Sequence, residues 1–128
     1  MEILFLIGRI IFGGYFIFNG LNHFLRFTMM KDYTKMKGVP FPSAAVVVTG
    51  FMLLLGGLSI MTGVYPDIGI LLLITSLIPV SFTMHNFWKV EDAQIKMMEM
   101  VNFTKNLALV GAVLMMLALS CPWPLSLQ

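Results

Sequence analysis

Ile68-Gly69-Ile70-Leu71-Leu72-Leu73-Ile74-Thr75-Ser76-Leu77-Ile78-Pro79-Val80-Ser81-Phe82-Thr83-Met84, continuing through His85 and Asn86 to Trp88, contains no charged residue. A helix needs roughly 20 apolar residues to cross about 30 Å of hydrocarbon, and this stretch is long enough. Three others match it: Ile3–Leu25, Ser43–Val64 and Val101–Cys121. Inside these windows only Arg9 and Lys105 carry a formal charge. Runs such as Ile70-Leu71-Leu72-Leu73-Ile74 and Leu53-Leu54-Leu55 do not alternate in polarity, as barrel strands would. Backbone polar groups in lipid must be bonded within their own segment, so these stretches are helices. The sequence predicts an all-α integral membrane protein over residues 1–128: an up-down four-transmembrane-helix bundle in one membrane domain.

Composition agrees. Hydrophobic residues make up 59% of the chain and charged residues 11%, against roughly 45–50% and 25% in soluble domains. The first stretch lacks a basic start and a small-residue cleavage site, so it reads as a mature helix and not a signal peptide. A net charge of +2, spread along the chain, gives no nucleic-acid surface. Cys121 is the single cysteine, which excludes an intramolecular disulfide and a Cys-x-x-Cys dithiol centre.

The connections set the topology. Arg26, Lys31, Lys35 and Lys37 lie in the first, Lys89, Lys96 and Lys105 in or beside the third, and no basic residue lies in the second. The positive-inside rule puts connections one and three in the cytoplasm and both termini outside a cytoplasmic (inner) membrane. Gly63-Val64-Tyr65-Pro66-Asp67 is a tight turn. In the first connection, Gly38 can stop a short helix before Pro40 and Pro42. Lys89–Met100 mixes charges with Ile95, Met97, Met98 and Met100, and predicts a short interfacial helix between the third and fourth crossings. Trp88 and Trp123 sit at segment ends, where indole favours the headgroup level. Gly8, Gly13, Gly14 and Gly20 in the first stretch, Gly50, Gly56 and Gly57 in the second and Gly111 in the fourth suit close helix packing.

The intramembrane polar residues form the candidate site. Arg9, Gly13, Phe16, Asn19 or Gly20, and His23 recur every three or four residues, so they share one stripe of the first helix. Such stripes face the bundle interior. Arg9 is predicted either to pair inside the bundle or to extend outward to lipid phosphates. In an up-down bundle His23 and His85 fall at similar depth at the cytoplasmic end, near Asn86, Lys105 and Asn106. Asn22-His23-Phe24 and His85-Asn86-Phe87 echo one another on the first and third helices. Methionines strewn through apolar helices read as packing, and no metal site is predicted.

Gly8-Arg9, Phe18-Asn19-Gly20-Leu21-Asn22-His23, Gly38-Val39-Pro40, Gly50 with Gly56-Gly57, the His85-to-Trp88 run, and Phe103-Thr104-Lys105-Asn106-Leu107-Ala108-Leu109 together resemble the DoxX/DoxD-like membrane proteins over nearly the whole chain. The resemblance implies a four-helix bundle associated with respiratory and oxidative-stress chemistry, one branch being a subunit of a thiosulfate:quinone oxidoreductase. Related sequences often carry a glutamate three residues after the glycine that corresponds to Gly50; here that residue is Leu53.

Two functions follow as expectations. One is an accessory subunit of a redox-linked membrane system, with a quinone-type ligand at the cytoplasmic end. His23, His85, Asn86 and Lys105 would donate to it, with Asn19, Asn106 and Arg9 in the wider set, and Phe24, Phe87 and Trp88 would line the groove. With no dithiol, its electrons come from a partner protein. The other is a non-catalytic scaffold that docks partners on Lys89–Met100 and the first connection. A solute transporter would require a homo-oligomer, and no ring of charge marks a pore.

Overall fold

The computed structural model describes residues 1–128 as an all-helical chain. Its helices are α1 (Glu2–Leu25), α2 (Phe27–Met36), α3 (Pro42–Thr62), α4 (Pro66–Met84) and α5 (Ala93–Met116), with a 3₁₀ turn at Phe87–Lys89. The helices that carry the first three apolar stretches are long and apolar enough to cross a membrane. Proline opens α3 and α4 at the first helical position, where its missing N–H costs nothing. Gly63, at φ 75°, closes α3 and accommodates the left-handed turn into α4.

The fourth stretch differs from its expected form. No separate interfacial helix precedes it. Asp92 accepts hydrogen bonds from the backbone N–H groups of Gln94 and Ile95, and so caps α5. With no glycine or proline from Ala93 to Val110, the helix runs unbroken into the apolar stretch. It also ends early. The N–H groups of Leu117, Ala118 and Leu119 bond three residues back, the tightening typical of a last turn, before Pro122 forbids continuation. A helix over residues 93–116 therefore stands where one over 101–121 was expected, and its first turns, which mix polar and apolar residues, are largely exposed.

α1 packs on α3, α3 on α4, and α4 on α5, while α2 lies against α3. The backbones of α1 and α5, the outer members of this series, hardly meet. The α1–α3 seam is close because it is made of glycine. A Cβ on Gly13 would stand 2.5 Å from the Gly57 carbonyl oxygen. This backbone approach supplies the packing that lipid cannot drive hydrophobically.

At the end where α1 starts, the C-terminal tail folds back onto the bundle. Trp123 is buried there against Phe5, with ring centroids 5.4 Å apart, so it is a core residue and not an interfacial anchor. The Leu127 N–H donates to the Thr62 carbonyl, and the Tyr65 N–H to Gln128 Oε1. Arg9, 2% exposed, points inward but forms no ion pair. Its guanidinium donates to the carbonyls of Pro124 (2.7 Å), Leu125 (3.1 Å) and Met61 (3.3 Å).

Candidate functional site

A cavity of about 650 Å³ lies at the opposite end of the bundle, lined by residues from all five helices. α1 contributes Tyr15, Phe16, Asn19 and His23, and α3 contributes Val46, Thr49 and Leu53. Ser76, Leu77, Val80 and Met84 come from α4, with His85 following it. Asn102, Lys105 and Asn106 come from α5, and Met30, Tyr33 and Thr34 from α2. The volume falls in the range typical of small-molecule sites, as does a mostly apolar wall carrying a few polar groups.

Of the residues singled out in the sequence, Asn19, His23, His85, Lys105 and Asn106 share this cavity. The others lie elsewhere. Arg9 is at the far end, bound to the tail. Asn86 accepts a hydrogen bond from Lys37 Nζ (3.0 Å). Phe24 packs edge-on against Phe51, and Phe87 and Trp88 stack with Phe103. None of these aromatic rings lines the cavity.

Hydrogen bonding fixes the state of the polar groups. His23 Nδ1 is 2.8 Å from the Asn19 carbonyl oxygen, four residues back along α1. A carbonyl can only accept, so Nδ1 carries the hydrogen. The Asn19 side-chain amide is likewise held by the Tyr15 carbonyl (2.8 Å). His85 Nδ1 lies 2.5 Å from Glu99 Oε2, and the Tyr33 hydroxyl donates to Glu99 Oε1. Lys105 Nζ sits 5.8 Å from the Tyr15 ring centroid, reaching from α5 toward α1 where the two backbones stand apart. Asn106 is 5% exposed, and its side chain has no hydrogen-bond partner within the protein.

The sequence reading missed Glu99 and Tyr33. Glu99 looks like one charge among several in a polar connection, yet it is 3% exposed. A signal was present: Glu99, Asn102 and Asn106 recur at spacings of three and four, the stripe of one helical face. Burial pushes the Glu99 carboxyl up. The hydrogen bonds from Tyr33 and His85, with the charges of His85 and Lys37, outweigh it and hold the group below the usual carboxylate range. Glu99 is therefore a carboxylate that only accepts. Tyr33 is pushed the other way, by burial and by its hydrogen bond to and the charge of Glu99.

These features define a polytopic α-helical membrane protein with a cavity lined by histidines at one end. The DoxX family model matches residues 4–86, and the chain belongs to that family. The match stops short of α5, so Glu99, Lys105 and Asn106 lie outside it. Comparison with curated proteins and with solved structures finds no match.

Proposed function

We propose that the protein is an accessory subunit of a redox-linked system in the cytoplasmic membrane and holds a quinone-type ligand in this cavity. It crosses the membrane four times, the part of α5 from Val101 onward being the fourth crossing, with both termini outside and the cavity at the cytoplasmic end. The observation that carries the ligand reading is Asn106: a 5% exposed residue whose amide makes no hydrogen bond within the protein and is open to the cavity that both histidines line. A polar group that opens onto a mostly apolar wall gives a ligand one of the few hydrogen bonds that fix its orientation.

The residues present fit a quinone. The Lys105 ammonium and the Asn106 amide can donate to ring oxygens, while Phe16, Val46, Leu53 and Leu77 offer apolar surface to a ring or tail. Bound there, a quinone would supply two-electron, two-proton redox chemistry. The electrons would be exchanged with a partner protein, since Cys121 is the lone cysteine and is exposed. Leu53 takes the place where relatives often carry a glutamate, so acid–base work would fall to the histidines and Glu99.

The test is mass spectrometry of small molecules extracted from gently purified protein, with an absorption spectrum of the same sample. A stoichiometric quinone that is lost in His23→Ala and His85→Ala variants is the expected result. Phospholipid and partner polypeptides alone would instead favour a scaffold. The feature supporting that reading is the exposed start of α5, where Ile95, Met97 and Met98 face outward.

A further inference from the structure

We propose that Arg9 and Trp123 form a binding site for a small monovalent anion of the halide class, at the end of the bundle opposite the cavity. This site stands apart from the cavity and from whatever the cavity holds. Two buried side-chain nitrogens in the protein have no hydrogen-bond partner, Arg9 Nε and Trp123 Nε1, and each belongs to a residue 2% exposed. They meet in one place. The Arg9 guanidinium carbon lies 6.0 Å from the Trp123 ring centroid, and the Phe5 ring flanks both, at 5.5 and 5.4 Å. Arg9 spends its terminal nitrogens on the carbonyls of Met61, Pro124 and Leu125, which leaves its Nε–H over. Guanidinium and indole nitrogens can only donate, so the pair lacks a shared acceptor. Orphaned buried groups of this kind call for an ion or a water.

Charge decides which. Arg9 forms no ion pair, the one such contact in the protein being His85–Glu99. Carbonyl dipoles offset the desolvation of the guanidinium without neutralising it. A water would satisfy the two N–H groups and leave the charge, whereas an anion answers both. Beside the indole lies a cavity of about 180 Å³, lined by Phe5, Leu119, Ser120, Trp123 and Pro124. Both orphaned nitrogens are shielded from solvent, so the anion reaches them as the indole tilts into this space and parts from the guanidinium. Ser120, on the same wall, adds a hydroxyl donor. So few donors on an apolar wall suit an anion that sheds its hydration readily, and leave the oxygens of sulfate or phosphate undersupplied.

The test uses the full chain in detergent, with chloride exchanged for bulky gluconate at constant ionic strength, so that screening does not change. The line width of the chloride NMR signal reads binding, and the thermal unfolding midpoint reads its coupling to the fold. The expected result is saturable, protein-dependent broadening that bromide displaces and sulfate does not, with a saturable rise in the midpoint. Trp123→Phe keeps a ring against Phe5, removes the indole N–H and should weaken chloride binding about tenfold, the scale of one hydrogen bond to a charged group. Arg9→Lys keeps the charge, loses the Nε–H and should weaken binding too, an independent check should the first variant not fold. No saturable broadening and no midpoint shift in the parent protein would overturn the site. Broadening unchanged in both variants would place the anion elsewhere and overturn the assignment to Arg9 and Trp123. A midpoint indifferent to chloride but raised by phosphatidylglycerol in mixed micelles, and only with Trp123 present, would make the acceptor a lipid phosphate and overturn the halide class.

Discussion

Arg9 and Pro124 lie 115 positions apart in sequence and meet through a 2.7 Å hydrogen bond from guanidinium to backbone carbonyl. That bond, with those to Leu125 and Met61, ties the last residues of the chain to its first helix and to the end of α3. A charged group buried without a carboxylate is held here by carbonyl dipoles, in the manner of a helix-end cation site.

Replacing Arg9 by Leu should free the tail and destabilise the protein by about 2–4 kcal/mol, the scale of losing charge-assisted hydrogen bonds. Lysine cannot reproduce the fork and should recover only part of this. Thermal unfolding in detergent, together with protease access to residues 117–128, reads the effect. A tail that stays protected in Arg9→Leu would show that Trp123 alone holds it.

Gly13→Ala should cost about 1–3 kcal/mol, since the added methyl meets the Gly57 backbone oxygen and the two helices must separate. Gly8→Ala, whose Cβ would meet nothing within 4 Å, is the matched control and should be neutral or slightly stabilising. Equal effects at the two positions would contradict the glycine seam.

Acid should weaken the protein through Glu99. Its carboxyl is held low in the folded state, so the stability it contributes is present above about pH 4.3, the ordinary glutamate value, and is lost as pH falls below it. Tyr33 acts at the other extreme: its hydroxyl is held protonated, so stability declines as pH rises beyond about 10. Tyr33 lies on α2 and Glu99 ahead of the apolar stretch that opens at Val101, so both groups lie outside the crossing segments. Unfolding midpoints measured from about pH 3 to 6 should fall on the acid side in the parent and stay flat in Glu99→Gln. Parallel curves would assign the acid sensitivity to other groups.

Asn106→Leu should leave stability unchanged or raise it, because it replaces an amide that makes no hydrogen bond within the protein with an apolar side chain of similar volume. Ligand retention should nevertheless fall several-fold. A variant that loses stability instead would mean that the amide is satisfied within the protein.

How much of this was legible in the sequence depended on the signal. Three crossing helices, the inward stripe of Arg9, Gly13, Phe16 and Gly20, and the tight turn at Gly63 follow from apolar length, helical period and glycine chemistry, all local properties. The convergence of His23 and His85 at one end follows from chain reversal alone. The start and end of α5 were misplaced because a polar segment read as interfacial is capped by Asp92 into a longer helix, and because apolar Leu117–Cys121 leads into prolines that end it. Glu99 and the Arg9 carbonyl cradle escaped notice for another reason. Each depends on partners from distant elements, α2 and α4 in one case and the tail in the other, and no local pattern announces them.

The gap between α1 and α5 carries a consequence for how any occupant would arrive. On that side the two helices hardly touch along their backbones, and Lys105 reaches across toward Tyr15. A greasy molecule dissolved among the acyl chains could slide in sideways without first entering water. Occupancy would then follow its abundance in the surrounding lipid, where such molecules are greatly enriched over the aqueous phase. A site of modest intrinsic affinity could thus stay filled in a native membrane and empty on dilution into excess detergent.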